Sequence, residues 1–294
     1  MQTGFTNLRY QWPVITTIGK VLGNKLIKPK PTGSIPTLPS KTIVENIGPR
    51  NPDLVHDFIV HTGGDPKENE GLVPFHMFPQ WTFPTLGKIN LDLPYDFSKI
   101  INLGCRAQVN GPLRREEGLR LTGQIESVDD DGTRAIITNK LVTETPSSPK
   151  ALVVQQYAMI PLASKPKKKH SKEVKRVPAT AKTINYIDLS KTSGLEFAFL
   201  TGDVNPLHWL TPWARSIGFE GSILHGFSGM SRTIEALVNH NPETYNSYGE
   251  WDFRFTAPIP LPCKVGVFID GSSFYLGAAR GGKAYLIGSF ISKN

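Results

Sequence analysis

The chain has 294 residues, a formal net charge of +8 at pH 7, 39% hydrophobic and 20% charged residues. That length can bury a sizeable core in one large or two modest domains, and the composition lies far from that of disordered chains. Two cysteines, Cys105 and Cys263, cannot build a disulfide framework, and no apolar run approaches the roughly 20 residues of a membrane span, so a cytoplasmic protein with no membrane span is expected.

Residues 1–45 alternate apolar patches, such as 12–18, with Lys- and Pro-rich stretches around Pro29, Pro31, Pro36 and Pro39. Prolines at that density exclude one continuous helix and predict an extended arm. The patch 12–22 is expected to dock onto the domain rather than to lie on a membrane surface. Residues 73–86 are apolar but interrupted by Pro74, Pro79 and Pro84, so any helix there is expected to be short or irregular. From 89 to 162 the pattern changes to four runs of β character, among them 119–128 and 135–143, joined by the hairpin signal Asp129, Asp130, Asp131 and Gly132.

Lys165, Lys167, Lys168, Lys169, Lys172, Lys175 and Arg176 crowd into residues 164–178 and carry most of the positive surplus. The segment has almost no apolar content and no nucleic-acid motif accompanies it, so it reads as an exposed, mobile linker, with no nucleic-acid partner. Attraction of a phosphorylated ligand such as coenzyme A, or of an acidic carrier protein, is the other use of such charge.

Beyond the linker the pattern predicts a helix over 188–200 and a polar loop over 201–208. A clear helix follows, with Phe227, Met230, Ile234, Leu237 and Val238 on one apolar stripe and Arg232, Glu235 and Asn239 facing elsewhere. Asn239, Asn241 and Pro242 mark its end. Strands are expected over 251–256, 264–269 and 284–291. Each half therefore reads as a helical element followed by an antiparallel sheet, and Arg106 before Pro112 echoes Arg254 before Pro258.

The chemistry concentrates in residues 197–208. Gly202 permits unusual dihedrals, Pro206 fixes the backbone, and Asp203 and His208 share one short connection on which both can face a pocket. A carboxylate and an imidazole that share one water can take a proton from it and return one to a substrate. The bland alternative is that Asp203 and Asn205 cap the next turn while His208 packs beside it. Downstream, Leu224, His225 and Gly226 stand where the apolar helix begins, so the Gly226 amide is a helix N-terminal donor able to hold an oxygen that becomes negative during reaction.

These residues resemble the MaoC-like (R)-specific enoyl-CoA hydratase and dehydratase family of the hotdog fold. Leu200 to His208 reproduces the hydratase motif, the spacing to Leu224, His225 and Gly226 agrees, and the resemblance covers about residues 180–292. It implies an α+β protein of two hotdog repeats, each an antiparallel sheet wrapped around a central helix, the first degenerate. The implied division is an arm (1–45), a degenerate hotdog (46–163), the basic linker (164–178) and a catalytic hotdog (179–294). It also implies Asp203 and His208 as the catalytic pair, Gly226 as the amide that polarises a thioester carbonyl, Asn205 as the residue shaping the loop, and His225 among the substrate-binding groups. The substrate is then an acyl-CoA or an acyl group on a carrier protein, with no cofactor and no metal, and a homodimer is compatible with the fold.

In the first half His61, Gly64, Asp65, Pro66 and Asn69 form only a scrambled echo of the motif, so no second active site is expected. By the same resemblance, a broken helix around 75–86 leaves room for a bulky or long acyl chain. His56, His61 and His76 read as ordinary surface or core histidines. Asp203, His208 and His225 could in principle ligate a metal, but the hydratase motif already accounts for them. Ser222 and Ser228 lack the G-x-S-x-G elbow of a serine hydrolase. The competing functions are a non-catalytic acyl-thioester binding protein and a hotdog thioesterase.

Overall fold

The computed structural model describes residues 5–16, 19, 34–162, 173–246 and 248–293. The first half contributes β1 (Ile43–Ile47), helix α1 (Pro52–Thr62), helix α2 (Pro79–Asn90) and strands β2 (Ile101–Val109), β3 (Leu119–Asp130), β4 (Arg134–Glu144) and β5 (Leu152–Pro161). The second contributes β6 (Lys182–Leu189), α3 (Ser193–Thr201), α4 (Thr211–Ser216), β7 (Ile223–Leu224), α5 (Gly226–His240), β8 (Gly249–Phe255), β9 (Ile259–Pro260), β10 (Cys263–Asp270), β11 (Ser273–Gly277) and β12 (Ala284–Ser292). Strict alternation of buried and half-buried residues along β5 shows why these segments are strands: one face meets the core and the other meets water.

Among the described residues, ten strands form one antiparallel sheet in the order β1-β3-β4-β5-β2-β8-β12-β11-β10-β6. Read outward from the β2/β8 seam, the two halves repeat the same connectivity, which is a double hotdog. At the seam Cys105 stands opposite Phe253 and Arg106 opposite Asp252, so the two arginines of the sequence echo lie on symmetry-related strands. Gly104 allows the close approach: its φ is +130°, and any β-carbon there would run into the Phe253 carbonyl. Pairing the halves in this way removes two exposed strand edges at once.

The core lies between the sheet and helices α2 and α5, with Trp81, Trp251, Phe58, Phe78 and Phe253 among its fully buried side chains. The stripe expected on α5 is there: Phe227, Met230, Ile234 and Leu237 are buried. Glu235, expected to face away, is also buried, because α5 is enclosed by both halves.

Four further expectations are corrected. Residues 5–16 are not extended but form the 3-10 helix Phe5–Gln11 and a helical turn at 12–16, docked on the fold; the boundary at 45 falls inside β1, whose Ile43 pairs with Gly123. Residues 75–77 form a 3-10 turn, irregular as expected, but 79–90 form a twelve-residue helix that continues through Pro84, so the segment is longer and less broken than its prolines predict. Pro79 sits at its first turn, where no amide partner is needed, and Thr82 Oγ1 donates to the Phe78 carbonyl at 2.9 Å. The helix expected from 188 starts at Ser193, because 182–189 pairs with β10 and Ser190 and Ser193 close a turn between strand and helix. Most of the basic linker lies outside the described residues, but its end is built into the fold: Val177 is buried, and its amide donates to the Gly282 carbonyl at 2.9 Å.

Candidate active site

Helix α3 positions the motif loop. Its Phe197, Ala198, Leu200 and Thr201 are buried, and it ends at Gly202, whose φ of +81° is the left-handed turn that stops a helix. The Gly202 amide donates to the Ala198 carbonyl at 2.7 Å. Asn205 then caps the 3-10 turn Pro206–His208, its Oδ1 accepting from the Leu207 amide at 3.1 Å, while its own amide donates to Asp203 Oδ1 at 3.4 Å. Asn205 is exposed and acts on the loop's shape through these bonds. On the outer side Trp209 Nε1 donates to the Val204 carbonyl at 3.1 Å and closes the loop.

The two histidines are fixed by carbonyls. His208 Nδ1 lies 2.9 Å from the Ile223 carbonyl oxygen and His225 Nε2 lies 2.9 Å from the Asp203 carbonyl oxygen. A carbonyl only accepts, so the proton sits on His208 Nδ1 and on His225 Nε2, leaving His208 Nε2 with a lone pair. The rings stack at 3.6 Å between centroids and 26° between planes. Burial pushes the His208 imidazole below its ordinary range, against the raising effect of the Asp203 charge and the Ile223 carbonyl. His225 is held well below the ordinary range, first by burial and then by its neighbour His208. Both rings are therefore neutral near pH 7. Asp203 stays partly in contact with solvent, with a side-chain exposure of 28%.

Three potential ligand atoms of Asp203, His208 and His225 lie within 4.8 Å of one another. One nitrogen of each histidine ring is engaged by a carbonyl, and the other nitrogen of each is not. Opposite the loop, Gly226 is the first residue of α5, so its N–H has no carbonyl four residues back to bond. Only glycine fits, since a β-carbon there would come 2.6 Å from the Phe255 ring. Ser222 shares a hydrogen bond with Thr211 at 3.0 Å.

The structure also assembles a polar cluster that the sequence reading dispersed. His76 Nε2 lies 3.0 Å from Glu235 Oε1, both nearly fully buried, and Arg232 Nη2 donates to His61 Nε2 at 3.0 Å. Burial, with Arg232 beside it, lowers His61 to about 3. Gly64 admits the Glu235 carboxylate, which a β-carbon would strike. The available signal was Arg232 and Glu235, three residues apart on a helix otherwise rich in apolar residues. His56 is exposed, as expected of an ordinary surface histidine.

Residues 167–270 match the family described as MaoC like domain. The second half carries a MaoC-like domain. The chain as a whole is similar in structure to HtdX of Mycobacterium tuberculosis, with a TM-score of 0.69 and 17% identity over 86% of this chain and 100% of that one. A MaoC-like dehydratase from Phytophthora capsici gives 0.66 and 15%, over 87% and 96% of the two chains. A double-hotdog protein of Mycobacterium tuberculosis gives 0.55 and 12%, over 85% and 95%. At these identities the likeness establishes the double-hotdog fold around the MaoC-like domain. No curated protein matches the chain in sequence.

Proposed function

We propose that the protein is a hydratase or dehydratase that adds or removes water across the 2,3-double bond of an acyl thioester, converting a 2-enoyl-CoA or its carrier-protein counterpart to the (R)-3-hydroxyacyl form. The observation that carries this reading is the placing of His208, whose Nδ1 is held by the Ile223 carbonyl so that Nε2 carries the lone pair, on the same short loop as the Asp203 carboxylate and near the start of α5. In the hydration direction the water oxygen bonds C3, one of its protons passes to the Asp203/His208 pair, and the pair returns one proton to C2, ending as it began. The Gly226 amide stabilises the enolate-like thioester oxygen between the two steps. Water is added without net oxidation or reduction, so the chemistry calls for no cofactor beyond the carrier of the acyl group.

Incubation with crotonyl-CoA and longer 2-enoyl-CoAs, following enoyl absorbance and free thiol together, tests the reading. Loss of absorbance without thiol supports it. Thiol release makes the protein a thioesterase, and tight binding without either change makes it a binding protein. Asp203→Asn and His208→Gln keep shape but remove a proton-transfer group, and each is expected to cost about 10²- to 10⁴-fold in kcat. The double variant should lose little more than the worse single one, because both groups act on one water.

A further inference from the structure

The N-terminal segment forms the rear support of the motif loop. Asn7, Gln11 and Val14 are buried at 2%, 0% and 2% exposure, whereas Trp12 faces solvent at 68%. An amide buried as deeply as Gln11 requires partners, and it finds them in both halves. Its Nε2 donates to the Leu200 carbonyl at 2.9 Å, in the last turn of α3, where carbonyls run out of helical amides. Its Oε1 accepts from Gln80 Nε2 of α2 at 3.2 Å, and Gln80 in turn accepts from Arg50 Nη1 at 2.9 Å. Asn7 Nδ2 donates to Asp57 of α1 at 2.7 Å. Val14 covers Gly202: a β-carbon on that glycine would lie 2.6 Å from Val14 Cβ. Leu200 and Gly202 stand three residues and one residue before Asp203.

We infer that residues 5–16 are a strap that holds the Asp203–His208 loop in its working geometry, with Gln11 and Val14 as its positioning residues. The inference rests on the acid/base reading of that loop. Helix ends fray, and a loop hung on the end of α3 would follow the fraying. The strap binds the last turn of α3 from outside, through one buried hydrogen bond and one steric contact. Gln11 bonds the Leu200 carbonyl and Val14 packs over Gly202, so their effect passes through the backbone of 200–202. Misplacement of a reacting group by about 1 Å can cost about 10²-fold in rate.

The test uses the full chain with Gln11→Met, Val14→Gly, Gly202→Ala and the double variant Gly202→Ala/Val14→Gly. Readouts are kcat and KM on an enoyl-CoA that the wild type accepts, and amide hydrogen exchange across 201–208 and 226–240. Gln11→Met and Val14→Gly are expected to lower kcat about 10- to 100-fold with little change in KM, and to speed exchange in 201–208 while 226–240 keeps its protection. Val14→Gly added to Gly202→Ala should restore part of the lost kcat, because it removes the Val14 β-carbon that an alanine at 202 would meet and leaves only the left-handed strain of alanine. Unchanged kcat and exchange in the two strap variants, or simply additive losses in the double variant, overturn the inference. Should the wild type turn over no enoyl thioester, the acid/base reading fails, and exchange alone decides the strap: acceleration confined to 201–208 supports it, and unchanged exchange refutes it.

Discussion

At the scale of single residues, the site depends on which proton sits where. His208 is neutral because burial outweighs the attraction of Asp203, so its imidazole should titrate below 6.5 in a ring-nitrogen NMR titration of the folded protein. Replacing Asp203 by Asn removes a charge that favours the imidazolium, and the His208 midpoint should move further down. A wild-type midpoint at or above 6.5 would show that the carboxylate dominates. Asp203, His208 and Asn205 were legible in the sequence because all three act within one loop of six residues, where local spacing and turn chemistry carry the information. The bond from His225 to the Asp203 carbonyl, and its stacking on His208, were not. They arise from the return of the chain after β7, and no local pattern specifies which ring nitrogen will meet a carbonyl.

At the scale of elements, α5 shows both what periodicity reveals and what it hides. The apolar stripe placed the helix correctly from Gly226, because four side chains at helical spacing enter one core. Amphipathic logic placed Glu235 off that stripe, yet it too is buried, because the first half supplies a second buried surface carrying His76. The same pairing gives a test. Removing one member leaves a buried polar group without its partner, so Glu235→Ala should destabilise by about 1–3 kcal/mol, measured by urea denaturation. A double replacement by apolar residues of similar volume, His76→Phe with Glu235→Met, should recover most of that loss. If the double variant is as unstable as the single one, the contact with Gly64 rather than the contact with His76 sets the cost. The segment 79–90 misled the reading for a related reason: proline weighs against an isolated helix, but packing of Trp81 and Thr85 into the core outweighs one missing hydrogen bond at Pro84.

At the scale of the whole molecule, the β2/β8 seam and the docked N-terminal segment tie the halves into one body. The repeat was legible as two successive patterns of helix followed by sheet, whereas the docking of residues 5–16 was readable only as a preference, since it depends on Gln11 and Val14 meeting groups far away in sequence. One consequence is a common response to acid. His61, His208 and His225 all have folded values below the unfolded 6.5, with His61 at about 3. Below pH 6.5 the unfolded chain takes up a proton on each of them while the folded protein does not. Stability contributed by keeping them neutral is therefore complete above 6.5 and is lost as pH falls, at up to about 1.4 kcal/mol per pH unit for each group, until the folded group itself titrates. For His61 the loss continues down to about pH 3. His61→Gln removes one such group, so its unfolding free energy should fall less steeply between pH 6.5 and 4.5 than that of the wild type, whatever its value at pH 7. Parallel slopes for the two proteins would mean that His61 is charged in the fold and that Arg232 does not face a neutral ring. Because the seam joins the sheets, far-UV circular dichroism and tryptophan fluorescence should report one shared transition at each pH.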